Sequence, residues 1–459
     1  MREQQPKRLA VVTLGCRVNQ FESDLLQQEA GKAGFVPAQP GEEPDVVVVN
    51  TCSVTAESDR QTRQSIRRLA RQHPGARIVA VGCSAQRDPA GFAALPGVVR
   101  VVGNDDKMGL PRLLAGLAGD PGGAGAAHEG EDGEPPRELP FEPQPEGFHL
   151  PLLTEPGEGR SRAYLQVQTG CDEQCTYCVI PALRGPSRSL SLGEALRQAE
   201  TLIQGGCREL VLTGINLGAW GRDFSPASSL AALTRAVLQR PGLGRLRLSS
   251  LDPGDVDDEL ARLLGEHSKL CGHLHLSIQA GGAMVLKRMK RRHDAPRVAQ
   301  LARRLRGFRP DLVLGADWIV GFPTESDAEF AASMALMDEA EIALNHVFRY
   351  SPRPGTPAAA IPSRFQVAAA VASRRSETLR TLGREVLLRG LRRRVGEREE
   401  LLVETVEQGV AWGKTGGFLP LAFPALPGVE PGGLHPVRVV GLDEENLVLQ
   451  GEMVCAKSP

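Results

Sequence analysis

The feature that most constrains this chain is an alternation of short apolar strands with helices, which occurs twice. The first block contains RLAVVTL (8–14), DVVVVN (45–50), ARIVAVG (76–82) and VVRVVG (98–103), with helical stretches over 20–33 and 57–73. Apolar strands separated by helices predict a doubly wound parallel sheet in an α/β domain. The second block begins at Ala163 and contains AYLQVQ (163–168), ELVLTG (209–214), RLRLSS (245–250), HLHLSIQ (273–279), LVLGADWIVG (312–321) and IALNHVFRY (342–350). Helical stretches such as 192–205 and 326–340 fall between these strands. Six such units predict a partial barrel rather than an open sheet.

The two blocks are separated by residues 119–160, which open GDPGGAGAAHEGEDGEPPRELPFEPQPEG. Gly, Pro and acidic residues bury too little apolar area to order themselves, so this stretch is predicted to be a linker. Past Pro357 an Arg-rich helical region runs to about Arg394. The final segment holds ELLVETV, GVAWGKT, PVRVVGL and NLVLQGE, short strands with Gly and Pro turns, and predicts a small all-β barrel. The expected fold class is therefore α/β, with units at 1–118, 161–395 and 396–459 around the linker.

A chain of 459 residues is too long for one ordinary domain. Its net charge of −1 argues against a histone-like polycation, but local basic patches are compatible with it. No apolar run approaches the roughly 20 residues of a membrane helix. The start, MREQQPKRLAVVTLGC, is polar and leads straight into a strand, unlike a signal peptide. A cytoplasmic location without membrane contact is expected. There, nine cysteines fit thiolate ligands plus bystanders better than disulfides.

Two sets of cysteines stand out. CDEQCTYC (171–178) presents Cys171, Cys175 and Cys178 just past the first barrel strand, where parallel barrels place their chemistry. Three thiolates on a four-iron cluster leave one iron open to a small molecule. Zinc with a remote fourth ligand, or three buried thiols, is the plainer alternative. Cys16, Cys52 and Cys83 each follow a strand of the first sheet, in LGC, NTC and VGC. Parallel strands end on one crevice, so these three should converge and hold a second cluster. Three unrelated semi-buried thiols are the alternative. Cys207, Cys271 and Cys455 match no ligand motif and are read as bystanders.

CDEQCTYC resembles the signature loop of radical S-adenosylmethionine enzymes, including the aromatic residue before the third cysteine. Both sets together resemble the methylthiotransferase family over nearly the whole chain. The matching stretches include TLGCRVNQFES (13–23), VVNTCSVTAESDRQTRQSIRR (48–68), VGCSAQ (81–86), LRLSSLDP (246–253), LHLSIQAGG (274–282), IVGFPTES (319–326) and YSPRPGTPA (350–358). The resemblance implies two 4Fe-4S clusters, S-adenosylmethionine as methyl donor and radical source, and a low-potential electron donor. It also implies a C-terminal TRAM-like RNA-binding barrel and tRNA as partner, with no DNA. It places cofactor contacts at strand ends: Gly214 and Asn216, Gln279, and Gly321 with Phe322. Arg188 resembles an arginine often found after the loop. Asp252, Ala280 with Gly281, and Trp318 depart from the family pattern and put fine contacts in doubt, not the reaction.

Within the family, GCRVNQFES and SDRQTRQSIRR most resemble the branch acting on threonylcarbamoyladenosine, at C2 of the adenine beside the anticodon. Other branches act on isopentenyladenosine of tRNA or on a ribosomal-protein aspartate. Arg60, Arg63 and Arg67, with Arg68, fall at near-helical spacing and could meet phosphate or the threonyl carboxylate; a solvated helix face is the alternative. Lys287, Arg288, Lys290, Arg291 and Arg292 form a second basic cluster. Eight arginines over 374–394 form a third, placed to contact an RNA backbone. A non-catalytic RNA-binding protein with structural clusters is the rival class. Open irons argue against it.

Overall fold

A computed structural model describes residues 6–110, 113–114, 147–157 and 159–454. The N-terminal sheet contains β1 (Lys7–Thr13), β2 (Phe35–Pro37), β3 (Val46–Thr51), β4 (Arg77–Gly82) and β5 (Val98–Val102) in the order β2-β1-β3-β4-β5. All pairings are parallel. The edge strand β2 has no counterpart in the sequence reading, because three residues are too few for a periodicity signal. Continuous runs such as Val46–Val49 are buried on both faces, one face packing with Leu26 and Phe35 and the other with Ile66 and Phe92. This strand order reverses direction between β1 and β3, and ligand crevices in such sheets open at the carboxyl ends of the strands there.

The central strands are β6 (Ala163–Gln166), β9 (Glu209–Thr213), β10 (Arg245–Leu248), β11 (His273–Gln279), β12 (Val313–Val320) and β13 (Ile342–Arg349); β7 (Gln168–Thr169) and β8 (Arg188–Ser189) form a short ribbon beside them. The six pair as β10-β9-β6 and β11-β12-β13, all parallel, and isolated bridges at Leu246–Leu270 and Leu251–Leu276 join the two halves. The arc is open between β6 and β13. The helix Arg17–Lys32 of the N-terminal unit packs on β6, and the helix Ala369–Arg392 packs on β13.

Strand pleating sends alternate side chains to opposite faces. Leu274, Leu276 and Ile278 join Leu314, Ala316 and Trp318 in the core beneath the helices. Arg247, His275 and Asp317 therefore face the lumen. Gly315 permits this, since a Cβ there would sit 2.7 Å from His275 Nδ1.

The last strands, β14 (Arg398–Glu407), β15 (Val410–Thr415), β16 (Pro420–Pro424), β17 (Leu434–Asp443) and β18 (Val448–Met453), close a barrel in the order β14-β15-β16-β18-β17. It seals the floor of the central barrel. Arg245 donates to the carbonyls of Glu400 and Lys414, each at 2.9 Å, and Arg247 donates to that of Gly416 at 3.0 Å. Both guanidiniums also pair with Glu209, which is fully buried.

Residues 119–146 of the expected linker lie outside the described residues. Its last part packs instead of running loose. Leu153 is buried in the central core, and its backbone exchanges hydrogen bonds with the Gln198 side chain at 2.9 and 2.6 Å. FHLPLL supplies the apolar side chains that the preceding Gly/Pro run lacks. Among the described residues no helix is long and apolar enough to cross a membrane.

Candidate functional site

Cys16, Cys52 and Cys83 follow β1, β3 and β4, which are neighbours in the sheet, so all three thiols meet at one carboxyl edge. Cys52 and Cys83 are buried, and the three sulfurs lie close enough to perturb one another's ionisation. Two glycines make room. Gly15 has φ +105°, and a Cβ there would meet Cys52 Cβ at 2.6 Å and its sulfur at 2.8 Å. Gly82 has φ +95°, and its Cβ would meet Asn50 Oδ1 at 2.7 Å. Side chains pin the turns: Asn19 Nδ2 donates to the carbonyls of Leu14 and Thr51, and Thr51 Oγ1 accepts from the amides of Ser84 and Ala85.

The second set is held by the loop after β7. Thr176 Oγ1 donates to the Arg288 carbonyl at 2.8 Å, and Cys171 N donates to the Gly185 carbonyl at 3.0 Å. Each set receives one arginine. Arg184 Nε donates to Cys83 Sγ at 3.3 Å, and Arg291 Nη1 donates to Cys175 Sγ at 3.2 Å. Arg184 stands six residues after Cys178, in the short helix Ile180–Arg184, so the cysteine loop of the barrel reaches across to the N-terminal set. Arg184 also pairs with Glu22, which accepts from Lys107 at 2.6 Å. Burial alone would raise the Glu22 carboxyl, but Arg184 and Lys107 overcome it and hold it at about 2.

Burial pushes the Cys52 and Cys178 thiols up to about 12 and Cys171 to about 11. All six are free thiols. Free thiols gathered around guanidinium N–H donors suit a group that binds them as thiolates and leaves anionic sulfur for the arginines to meet.

The predicted cofactor residues stand at the carboxyl ends of β9, β11 and β12. Gln168 Oε1 accepts from Asn216 N at 2.8 Å, and a Cβ on Gly214 would press on that oxygen. Gln279 has φ +72°, and Gly321, with φ +75°, donates its amide to Glu325 at 2.7 Å. Phe322 is fully buried, edge-on to Tyr350 and clustered with Tyr177, so it supports the cysteine loop and presents no exposed face. Gln166 Oε1 and Ser249 Oγ are buried near these strand ends without a hydrogen-bond partner, ready for a ligand. Arg188 pairs with Asp105 of the N-terminal unit. Asp252, held near 2 against burial by His293 and Arg291, positions Arg291 toward Cys175.

The arginines after Cys52 divide. Arg63 donates to Asp88 and the Gly91 carbonyl and lies 4.4 Å from the Phe92 ring, so it is engaged within the chain. Arg60 pairs with Glu57 on the surface, and Arg67 is exposed. The buried acid of this stretch is Asp59. It is buried and accepts from Ser84, Arg87 and Arg353. Arg353 and Ser351 of YSPRPGTPA thus clamp the Cys52 turn to the barrel, Ser351 Oγ accepting from Ala56 N at 2.9 Å. The third basic cluster largely serves the fold: Arg375, Arg380, Arg384, Arg389, Arg392, Arg393 and Arg394 all bond within the chain. A run of arginines looks alike in sequence whether it meets phosphate or its own carboxylates.

Sequence reasoning missed one further constellation. His275 Nε2 and His346 Nδ1 lie 3.1 and 3.2 Å from Asp317 Oδ1, on three adjacent strands. The H-x-H of HLHLSIQ was its only trace.

Residues 165–337 match the Radical SAM superfamily, and residues 8–103 match the family described as Uncharacterized protein family UPF0004. Among solved structures, the radical S-adenosylmethionine methyltransferase TsrM of Kitasatospora setae, solved with cobalamin and a [4Fe-4S] cluster, aligns with TM-score 0.55 at 17% identity over 77% of each chain. The radical enzyme OxsB aligns with TM-score 0.53 at 12% identity, covering 84% of this chain and 56% of that one. Barrel, cysteine loop and superfamily match define a radical S-adenosylmethionine enzyme. The threonylcarbamoyladenosine tRNA methylthiotransferase of Rickettsia prowazekii is 35% identical over 95% of this chain and 96% of its own length. That of Thermotoga maritima is 34% identical over 99% of both. A tRNA-2-methylthio-N(6)-dimethylallyladenosine synthase of Sphingopyxis alaskensis is 34% identical over 99% of this chain and all of its own. The chain belongs to the radical S-adenosylmethionine methylthiotransferase family.

Proposed function

We propose that this protein adds a methylthio group to C2 of N6-threonylcarbamoyladenosine beside the anticodon of tRNA. The observation that carries the reading is the pair of cysteine sets, linked by Arg184 reaching from the barrel loop to Cys83, in a chain that matches threonylcarbamoyladenosine tRNA methylthiotransferases over 90% or more of its length. The partners are tRNA and a low-potential electron donor, in the cytoplasm.

Cys171, Cys175 and Cys178 would hold one 4Fe-4S cluster, and Cys16, Cys52 and Cys83 a second. When bound, the first cluster would supply the electron for reductive cleavage of S-adenosylmethionine, and the second would supply the sulfur. The chain's own residues do the rest. Arg291 and Arg184 neutralise thiolate charge at each set. Gln168 fixes the Asn216 turn, and Gln166 and Ser249 offer polar atoms to the cofactor. The Arg353–Asp59 clamp fixes the distance between the sets. We divide the chain into units at 1–118, 161–395 and 396–459, a division supported by the N-terminal sheet, the six-stranded arc and the closed C-terminal barrel, and the last unit would act as a TRAM-like RNA module.

Profiling of tRNA nucleosides from a strain lacking the gene tests this. The methylthiolated threonylcarbamoyladenosine should disappear and return on complementation. Loss of the methylthiolated isopentenyl nucleoside instead would move the protein to the other branch.

A further inference from the structure

The lumen beneath the cysteine sets holds a cation that the fold does not use. Arg17, next to Cys16, enters the barrel through the open seam beside β6. Its guanidinium lies near Tyr164, Arg162, Arg247 and Asp317 and 6.0 Å from the Phe418 ring. Three features of this placement cost stability. The residue is the first of the helix Arg17–Lys32, whose N-terminal dipole disfavours a cation, and no acidic residue stands in that first turn. Arg162 and Arg247 stand beside it and repel it. Its Nη1 is buried without any hydrogen-bond partner.

The carboxylates that would satisfy it are occupied. Glu209 is shared by Arg162, Arg245 and Arg247, and Arg162 also pairs with Glu404. Asp317 accepts from His275 and His346. The chamber therefore keeps an excess of positive charge and an unmet N–H donor on Arg17, with Tyr164 and Arg247 beside it. An apolar substituent would strand these groups; an anion would satisfy them.

We infer that Arg17 binds the carboxylate of the threonylcarbamoyl group and is the residue by which this protein distinguishes that base from its isopentenyl counterpart. This rests on the function proposed above and locates the recognition of the substrate's charge, which Arg63, locked on Asp88, does not provide. The adenine ring would sit nearer the cysteine sets, with its N6 substituent directed into the chamber. Arg247 and Tyr164 shape the rest of the subsite.

The test uses anticodon stem-loops carrying either threonylcarbamoyladenosine or its carboxamide, which is neutral and nearly the same size. Wild-type protein should favour acid over amide in kcat/KM by roughly 10–100-fold, the range for one charge-assisted contact. R17Q should reduce that ratio to near one by losing activity on the acid. Iron content is measured alongside. If R17Q loses iron, R17K decides, because its ammonium keeps the charge but not the reach and direction of Nη1, and the ratio should fall several-fold. An unchanged ratio in a folded R17Q, or in R17K where that variant decides, overturns the inference. So does a weakened S-adenosylmethionine affinity with an unchanged ratio, which would assign the guanidinium to the cofactor's carboxylate. Absence of wild-type activity on the acid would instead refute the proposed function.

Discussion

Gly15→Ala tests whether Cys52 is a cluster ligand. The residue has φ +105°, a conformation that costs a non-glycine residue about 1–3 kcal/mol. The new methyl would also lie 2.6 Å from Cys52 Cβ and 2.8 Å from its sulfur, where ordinary contact begins near 3.4 Å. Cys52 must therefore retreat by about 0.8 Å, several times the roughly 0.2 Å that a metal site tolerates in its ligand distances. Gly34→Ala is the matched control, with φ +90° and nothing within 4 Å of the added carbon. Iron and sulfide are quantified after anaerobic reconstitution, with 5′-deoxyadenosine formation as a second readout. G15A should lose about half its iron, keep cleavage of S-adenosylmethionine and lose methylthiolation, whereas G34A keeps full iron. Full iron in G15A, or equal loss in both variants, would refute the reasoning.

Cys175→Ala should abolish 5′-deoxyadenosine formation while leaving the N-terminal set able to bind iron; wild-type yield from this variant would contradict the barrel assignment. Glu22→Gln leaves Arg184 and Lys107 buried without their carboxylate, a loss of about 3–5 kcal/mol. Because the folded Glu22 carboxyl sits near 2, below its ordinary 4.5, its contribution is present above pH ~4.5 and lost as pH falls toward 2. The stability gap between apo wild type and E22Q, read by denaturant unfolding, should therefore close across that window. Arg67→Gln should weaken tRNA binding and reduce the salt slope by about one, whereas the slope should not change if Arg67 only meets solvent.

Much of the fold was legible because its signals are local. Unbroken Val-rich strands announced the parallel sheet, and the shared strand-end position of Cys16, Cys52 and Cys83 announced their convergence before any contact was known. What stayed hidden depends on long-range pairing. Asp59 is one acid in an arginine-rich helix until folding brings Arg353 to it from nearly three hundred residues away. Arg17 reads as an ordinary helix-start residue, and only the open seam of the barrel gives it a lumen to enter. His346 and Asp317 meet through strand pairing, which no spacing within either segment reveals. The carboxylate partners of Arg389, Arg392 and Arg393 stay hidden for the same reason, since they lie on other elements.

The most direct measurement incubates anaerobically reconstituted protein with S-adenosylmethionine, a reductant and tRNA bearing threonylcarbamoyladenosine, then identifies the nucleosides by mass spectrometry. The account predicts a nucleoside heavier by one methylthio group in place of hydrogen, with the addition at C2 of the adenine. A product formed only on isopentenyladenosine tRNA, or S-adenosylmethionine cleavage that never yields a methylthiolated nucleoside, would contradict it.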